Sequence, residues 1–165
     1  MKSSYIFGFC IIFLLCIFSN FPSLNEPKIF ITDYSTGIEE AQESNLPVCL
    51  IFTDKQCSSS KSLDSLLNIN IELTKTLSKD FVTIYLNVKD RTSLSSSYIT
   101  YWNNEEITVN TQGEQWSDLL FTKFEIRTTP TIIFLNSKEE LLNEPLCYKA
   151  FLNNYESIIS NILKS

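Results

Sequence analysis

Hydrophobic and polar positions divide the chain into an unbroken apolar head and a longer body of short apolar blocks. Residues 5–18 carry no charge, and Ser19, Asn20 and Pro22 close that run. Residues 29–31 form a short apolar stretch suited to an edge strand. Asp33-Tyr34-Ser35-Thr36 supplies N-cap side chains for a short acidic helix over 38–44, with Ile38 and Ala41 on one face. Asn45-Leu46-Pro47 breaks it. Residues 48–53 are the continuous apolar run of a strand buried on both faces, as in the centre of a parallel sheet. Leu63, Leu66, Leu67 and Asn70 then fall at helical spacing, which places Cys57 on the first turn of a helix directly after a strand. Residues 81–88 read as a second strand, and 89–115 as a polar stretch with little periodicity apart from 98–102. Ser117-Asp118 is positioned to cap a helix carrying Leu119, Leu120 and Phe124. Thr128-Thr129-Pro130 leads into a strand over 131–135, and Lys138-Glu139-Glu140 makes a turn. A fourth strand is predicted over 141–150 and a closing helix over 151–163, with Leu152, Tyr155, Ile159 and Ile162 inward. Parallel strands with helical crossovers, then an antiparallel pair and a final helix, describe an α/β sandwich.

At 165 residues the chain has room for one domain of ordinary size. Its expected organisation is a signal peptide or N-terminal membrane anchor over 1–20, a leader over 21–32 and a folded domain over 33–165. The apolar head follows Met1-Lys2 and falls short of the ~20 residues that span a bilayer, so it fits the hydrophobic region of an export signal. Ile17 and Ser19 make only a poor small-residue cleavage site. An uncleaved anchor, with membrane association through residues 5–18, is the alternative. Cys16 resembles a lipidation site, but Leu15 stands before it where a small residue is expected. Each version places the folded part outside the cytoplasm, in a periplasmic or extracellular setting.

Composition then narrows the chemistry. With 13 basic against 19 acidic residues and a net charge of −6, the chain lacks the cationic surface of a nucleic-acid binder. It has no histidine, which excludes Ser-His-Asp and Cys-His catalysis and histidine metal sites. Its 3 glycines, at Gly8, Gly37 and Gly113, are too scattered to cradle a phosphate. Five cysteines without close pairs do not meet the spacing of a zinc site, and nothing calls for another cofactor. The pairs Glu39-Glu40, Glu105-Glu106 and Glu139-Glu140 read as solvated faces, since adjacent side chains diverge and none has an apolar frame.

What remains is cysteine. The strand 48–53 runs into Cys57-Ser58-Ser59-Ser60-Lys61, and Thr129-Pro130-Thr131 stands far downstream. Together these resemble the thioredoxin fold, in which a strand delivers a C-x-x-C motif to a helix N-terminus beside a cis-proline. The similarity extends to the thioredoxin-like C-terminal domain of thiol:disulfide interchange (DsbD-type) proteins and their stand-alone relatives. Cys57, Lys61, Leu63 and Asp64 match one of that family's blocks, and Phe81, Val82, Ile84, Leu86, Val88, Asp90, Thr92 and Leu94 resemble a second. Gly113, Trp116, Ser117 and Asp118 match a third. The resemblance covers roughly residues 34–163. It implies a three-layer α/β/α sandwich with a mixed central sheet, Cys57 as the attacking thiol, and Thr129 and Pro130 shaping the substrate groove. Lys61 and Trp116 stand in support.

The departure is Ser60, which occupies the place of the second cysteine. In a two-cysteine site that residue resolves the mixed disulfide, and a hydroxyl cannot. A lone thiol at a helix N-terminus has a depressed pKa, which Lys61 would reinforce and Asp54 oppose. It is suited to forming mixed disulfides with protein thiols or a low-molecular-weight thiol, an oxidoreductase- or isomerase-like activity of monothiol type. The alternative is a non-catalytic thioredoxin-fold module that binds a partner protein or an extended peptide. A third reading is a membrane-tethered accessory subunit. Cys49 reads as core, and Cys147 as a packed residue of the last strand that a bridge from Cys57 would scarcely reach. The 89–115 segment exceeds what a minimal domain of this kind needs, and is expected to pack near the Cys57 end.

Overall fold

The structure, a computed structural model, describes residues 30–164. The expected signal or anchor, and the leader up to residue 29, lie outside the described residues. In chain order the elements are α1 (Tyr34–Ser44), β1 (Val48–Thr53), α2 (Ser58–Ile69), α3 (Ile71–Lys79), β2 (Val82–Asn87), β3 (Ser93–Trp102), β4 (Glu105–Thr111), α4 (Gln112–Thr122), β5 (Thr131–Leu135), β6 (Leu146–Cys147) and α5 (Tyr148–Ile162). No helix among the described residues is long and apolar enough to cross a membrane.

The unbroken apolar run of β1 has the expected consequence: all six of its residues are buried. It lies inside a four-stranded sheet of order β2-β1-β5-β6. β2 pairs with it in parallel, from Val48 opposite Val82 to Thr53 opposite Asn87. β5 pairs antiparallel on the other side, from Val48 opposite Leu135 to Phe52 opposite Thr131. The sheet is therefore mixed, with one parallel pair of strands. Ile31 adds only an isolated parallel bridge to Ile84, less than the edge strand expected.

Alternation along β1 distributes the core between two faces. Val48, Leu50 and Phe52 meet Ile38 and Ala41 of α1 with Trp116 and Leu120 of α4. Cys49 and Ile51 meet Leu63 and Leu67 of α2, Leu73 and Leu77 of α3, and Phe151 and Ile159 of α5. This is a three-layer α/β/α sandwich. Helix α1 starts four residues before the expected stretch, capped by Asp33, whose carboxylate accepts from the Thr36 amide at 2.8 Å. Asn45 ends it at φ 53°. Asn70 both ends α2 and caps α3, accepting from the Leu73 amide at 3.0 Å. The α3 helix, which the hydrophobic pattern does not predict, buries Leu73 and Leu77 one turn apart.

Four further expectations are corrected. The helix α4 is capped by Thr111 in a capping box with Glu114, and Ser117-Asp118 lies inside it. The last strand shrinks to Leu146–Cys147, with Leu141 making one isolated bridge to Leu135. Helix α5 starts at Tyr148 and buries Phe151 and Ile159, whereas Leu152 is 38% exposed. Finally, the 89–115 segment is not a loop but a β-hairpin. Asn103 and Asn104, at φ 52° and 69°, form its two-residue turn, a backbone that asparagine tolerates well.

The hairpin is fastened by one carboxylate. Period-two alternation points Tyr98, Thr100 and Trp102 toward α4, with Tyr98 still 37% exposed, and leaves Ile99 and Tyr101 more exposed, at 56% and 63%. The Tyr98 hydroxyl, the Thr100 hydroxyl and the Trp102 indole N–H each donate to Asp118 at 2.9 Å. Asp118 is 9% exposed. Burial, with Asp118 beside it, pushes the Tyr98 hydroxyl up to about 12. Gly113 lets α4 approach closely enough: a Cβ there would lie 2.6 Å from the Asp90 amide nitrogen. Asp118→Ala is expected to cost about 1–3 kcal/mol, because three part-buried hydrogen bonds to a charged acceptor are lost together. Chemical denaturation measures that loss, and amide exchange should show protection falling first over residues 93–111.

Candidate functional site

The sheet's register builds the site. Because β1 and β5 run antiparallel with Phe52 opposite Thr131, the residues leaving β1 meet those entering β5. The loop after β1 is tight: the Cys57 amide donates to the Asp54 carbonyl at 2.8 Å, and the Gln56 amide to the Asp54 carboxylate at 2.8 Å. Cys57 is the N-cap of α2, one position earlier than the first turn, and is partly exposed. Its sulfur faces the Thr129 carbonyl at 3.9 Å across 72 residues of sequence. The Thr129–Pro130 peptide bond is cis, and Pro130 is buried behind it.

The electrostatics of Cys57 come mainly from backbone. The sulfur makes no capping hydrogen bond, but the backbone N–H groups of Ser60, then Ser59, at the start of α2 hold its pKa below the ordinary thiol value. Partial burial and the Asp54 carboxylate act in the opposite sense. Asp54 thus opposes the thiolate as its proximity suggested. Lys61 is different: its side chain is exposed, and it is not among the causes of the shift.

Ser60 is wholly buried, and its hydroxyl accepts from the Asp54 amide at 3.0 Å. It ties the end of β1 to the start of α2, a structural task distinct from thiol chemistry. Trp116 is 4% exposed within the core beneath α1 and α4, so it packs rather than lines the site. Trp102, by contrast, reaches the site. With Asn103, Phe121 and Arg127 it borders a cavity of about 380 Å³ that Asp54 and Thr129 share. The hairpin thus lies at the Cys57 end of the sheet, although α4, its support, covers the face opposite α2. Asn103-Asn104 after an aromatic run was the available hairpin signal; the local pattern marked Asp118 as a helix cap, not as an acceptor for the hairpin, and did not mark Arg127.

The other two thiols in the described residues diverge. Cys49 is fully buried, and burial raises its pKa far above the usual range. Cys147 is exposed, not packed, and lies opposite Thr131 at the N-cap of α5. All three are free.

A thioredoxin-like domain family model matches residues 34–144. The chain belongs to the thioredoxin-like family. Solved structures agree on that fold. A DsbH oxidoreductase superposes with a TM-score of 0.55 at 10% identity, over 88% of this chain and 98% of the other. A thioredoxin from Thermus thermophilus gives 0.53 at 15% identity, over 80% and 88%. A poplar wild-type thioredoxin h gives 0.51 at 18% identity, over 79% and 88%. No curated protein matches the sequence. As a thioredoxin-like domain, the chain holds Cys57, Ser60, Thr129 and Pro130 together at one end of its sheet, with Lys61 at the periphery and Trp116 in the core.

Two outcomes follow from this geometry. Alkylation of Cys57 should rise with pH through a midpoint below that of a free cysteine thiol, because the folded state favours the thiolate. Peptide-resolved labelling across pH 5–9 reads the midpoint, and Cys49 should stay unlabelled until the chain unfolds. Ser60→Cys should form a reversible disulfide with Cys57 under mild oxidation, seen as loss of two labelled thiols. The reduced variant should be about 1–2 kcal/mol less stable, because a buried hydrogen bond to the Asp54 amide is weakened.

Proposed function

We propose that this thioredoxin-fold protein is exported and exchanges disulfides through Cys57 alone, with Ser60 in the place of a resolving thiol. One observation carries the reading: a partly exposed sulfur stands at the N-cap of α2, 3.9 Å from the Thr129 carbonyl, where the backbone N–H groups of Ser60 and Ser59 at the helix start favour its thiolate. That is the state in which cysteine attacks a disulfide. The Thr129 carbonyl at 3.9 Å marks the wall along which a substrate strand would lie. Export rests on the sequence of residues 1–20. The nearer kinship with DsbD-type C-terminal domains rests on the three sequence blocks around Cys57, Phe81 and Gly113.

The chemistry is an exchange. The Cys57 thiolate attacks one sulfur of a protein disulfide, the second sulfur leaves as a thiolate and takes up a proton, and a mixed disulfide remains on Cys57. A second thiol, on the substrate or on a small molecule, then attacks that bond and restores Cys57. Ser60 takes no part in electron transfer. Its hydrogen bond to the Asp54 amide holds the loop that presents the sulfur.

Trapping in the native compartment tests the reading. Mixed disulfides should appear on non-reducing gels with the natural protein and vanish on Cys57→Ser. Their persistence in that variant would remove the role of Cys57. If Cys57 alkylates at pH 6 no faster than a free model thiol, a non-catalytic peptide-binding module becomes the better account. An intact Met1 in the mature protein would overturn signal cleavage.

A further inference from the structure

Beside Cys57 lies a cavity of about 380 Å³ that the chemistry of the thiol alone does not use. Asp54 and Thr129 form its near edge, and both touch Cys57. Its far wall is supplied by the hairpin and α4. The Trp102 ring meets Phe121 edge-on at 5.9 Å, and the Arg127 guanidinium lies over Phe121 at 4.5 Å. One Arg127 nitrogen donates to Asn103 at 2.6 Å, which leaves the other N–H groups of the fork for a ligand. Lys89, just after β2, also lines the cavity.

The charge balance there runs against that of the whole chain. The protein carries −6, yet two cations and one carboxylate border this cavity. The ion pairs among the described residues are Lys75 with Glu72 and Lys123 with Glu139, so neither Lys89 nor Arg127 has a carboxylate partner there. The opposing carboxylate, Asp54, is already engaged by the Gln56 amide at 2.8 Å. An aromatic floor with an ordered guanidinium above it is a seat for a carboxylate on a short apolar stem. The volume suits two or three residues of peptide.

We propose that this cavity selects disulfides whose attacked sulfur is flanked by acidic residues, seating a substrate carboxylate between Arg127 and Lys89 while Cys57 attacks. The inference rests on the exchange reading above and names its substrate class. In the step, the Cys57 thiolate forms a bond to the sulfur bearing the acidic arm. The S–S bond of the substrate breaks, and the other arm leaves as a thiolate that takes up a proton. A free low-molecular-weight thiol then attacks the mixed disulfide. It releases Cys57 and is itself left in disulfide linkage with the acidic arm.

Three short peptides test this, each with one cysteine as a mixed disulfide with 2-thiopyridine and flanked by glutamates, glutamines or lysines. Release of thiopyridone by the full chain is measured, and the rate with Cys57→Ser is subtracted. The acidic peptide should react about three- to tenfold faster than the neutral one at low salt, with the advantage shrinking as ionic strength rises. Arg127→Gln with Lys89→Gln should bring the acidic-to-neutral ratio close to one, and Glu at both positions should invert it. Lys138→Gln, distant from the cavity, should leave the ratio as it was. Equal rates for all three peptides, with clear dependence on Cys57, would overturn the cavity's role and leave the exchange reading standing. No Cys57-dependent release from any peptide would overturn both.

Discussion

The antiparallel pairing of β1 with β5 is the constraint on which the rest of the molecule depends. With Phe52 opposite Thr131, the two strands place the exit of one beside the entry of the other. Cys57 and Thr129 then face one another at 3.9 Å although 72 residues separate them. A slip of one residue would turn every β1 side chain to the wrong face and exchange the two halves of the core. The fully buried β1 makes that slip very costly, so the register that protects the core also positions the sulfur. Ser60 extends the same logic, since its hydrogen bond to Asp54 joins the end of β1 to the start of α2.

The second level of organisation is the hairpin. A two-stranded ribbon has little stability of its own in water, and here a buried carboxylate supplies the anchor. Asp118 accepts from three side chains of β3, and the ribbon's turn then reaches the Cys57 end through Trp102 and Asn103. Burying a carboxylate is unfavourable unless its hydrogen-bonding capacity is met. Three donors in one place meet it, and they also fix the orientation of the ribbon. The cavity beside Cys57 therefore depends on an interaction made on α4, away from the thiol.

These two levels divide the chemistry. Thiolate character at Cys57 arises from the amides of Ser59 and Ser60, which any helix start would present. It is generic to the architecture. The neighbourhood formed by Trp102, Phe121, Lys89 and Arg127 comes from the hairpin, α4 and the loops at that end of the sheet. With no histidine anywhere in the sequence, backbone donors are what tune the sulfur.

Elements whose signal is local are legible in the order of residues. The apolar run of β1, the strand at Thr131–Leu135, the helix after Cys57 and the thioredoxin-like order of Cys57 and Pro130 could all be read because period and composition belong to contiguous residues. Asn103-Asn104 after the aromatic run 98–102 carried a hairpin signal too, set within an otherwise polar segment. Tertiary structure alone decided the rest. Asp118 resembled a helix cap because Ser-Asp before leucines fits that pattern, and only β3 laid across α4 makes it the acceptor for Tyr98, Thr100 and Trp102. Cys147 resembled core because the strand around it was read as long, and an early turn into α5 exposes it instead. Lys61 was near Cys57 in sequence but directs its charge to solvent, while Arg127 and Lys89, remote in sequence, border the cavity beside the thiol. Hydrogen bonds and charge act through space, and the separations that matter are set by sheet register and helix packing, which no local pattern encodes.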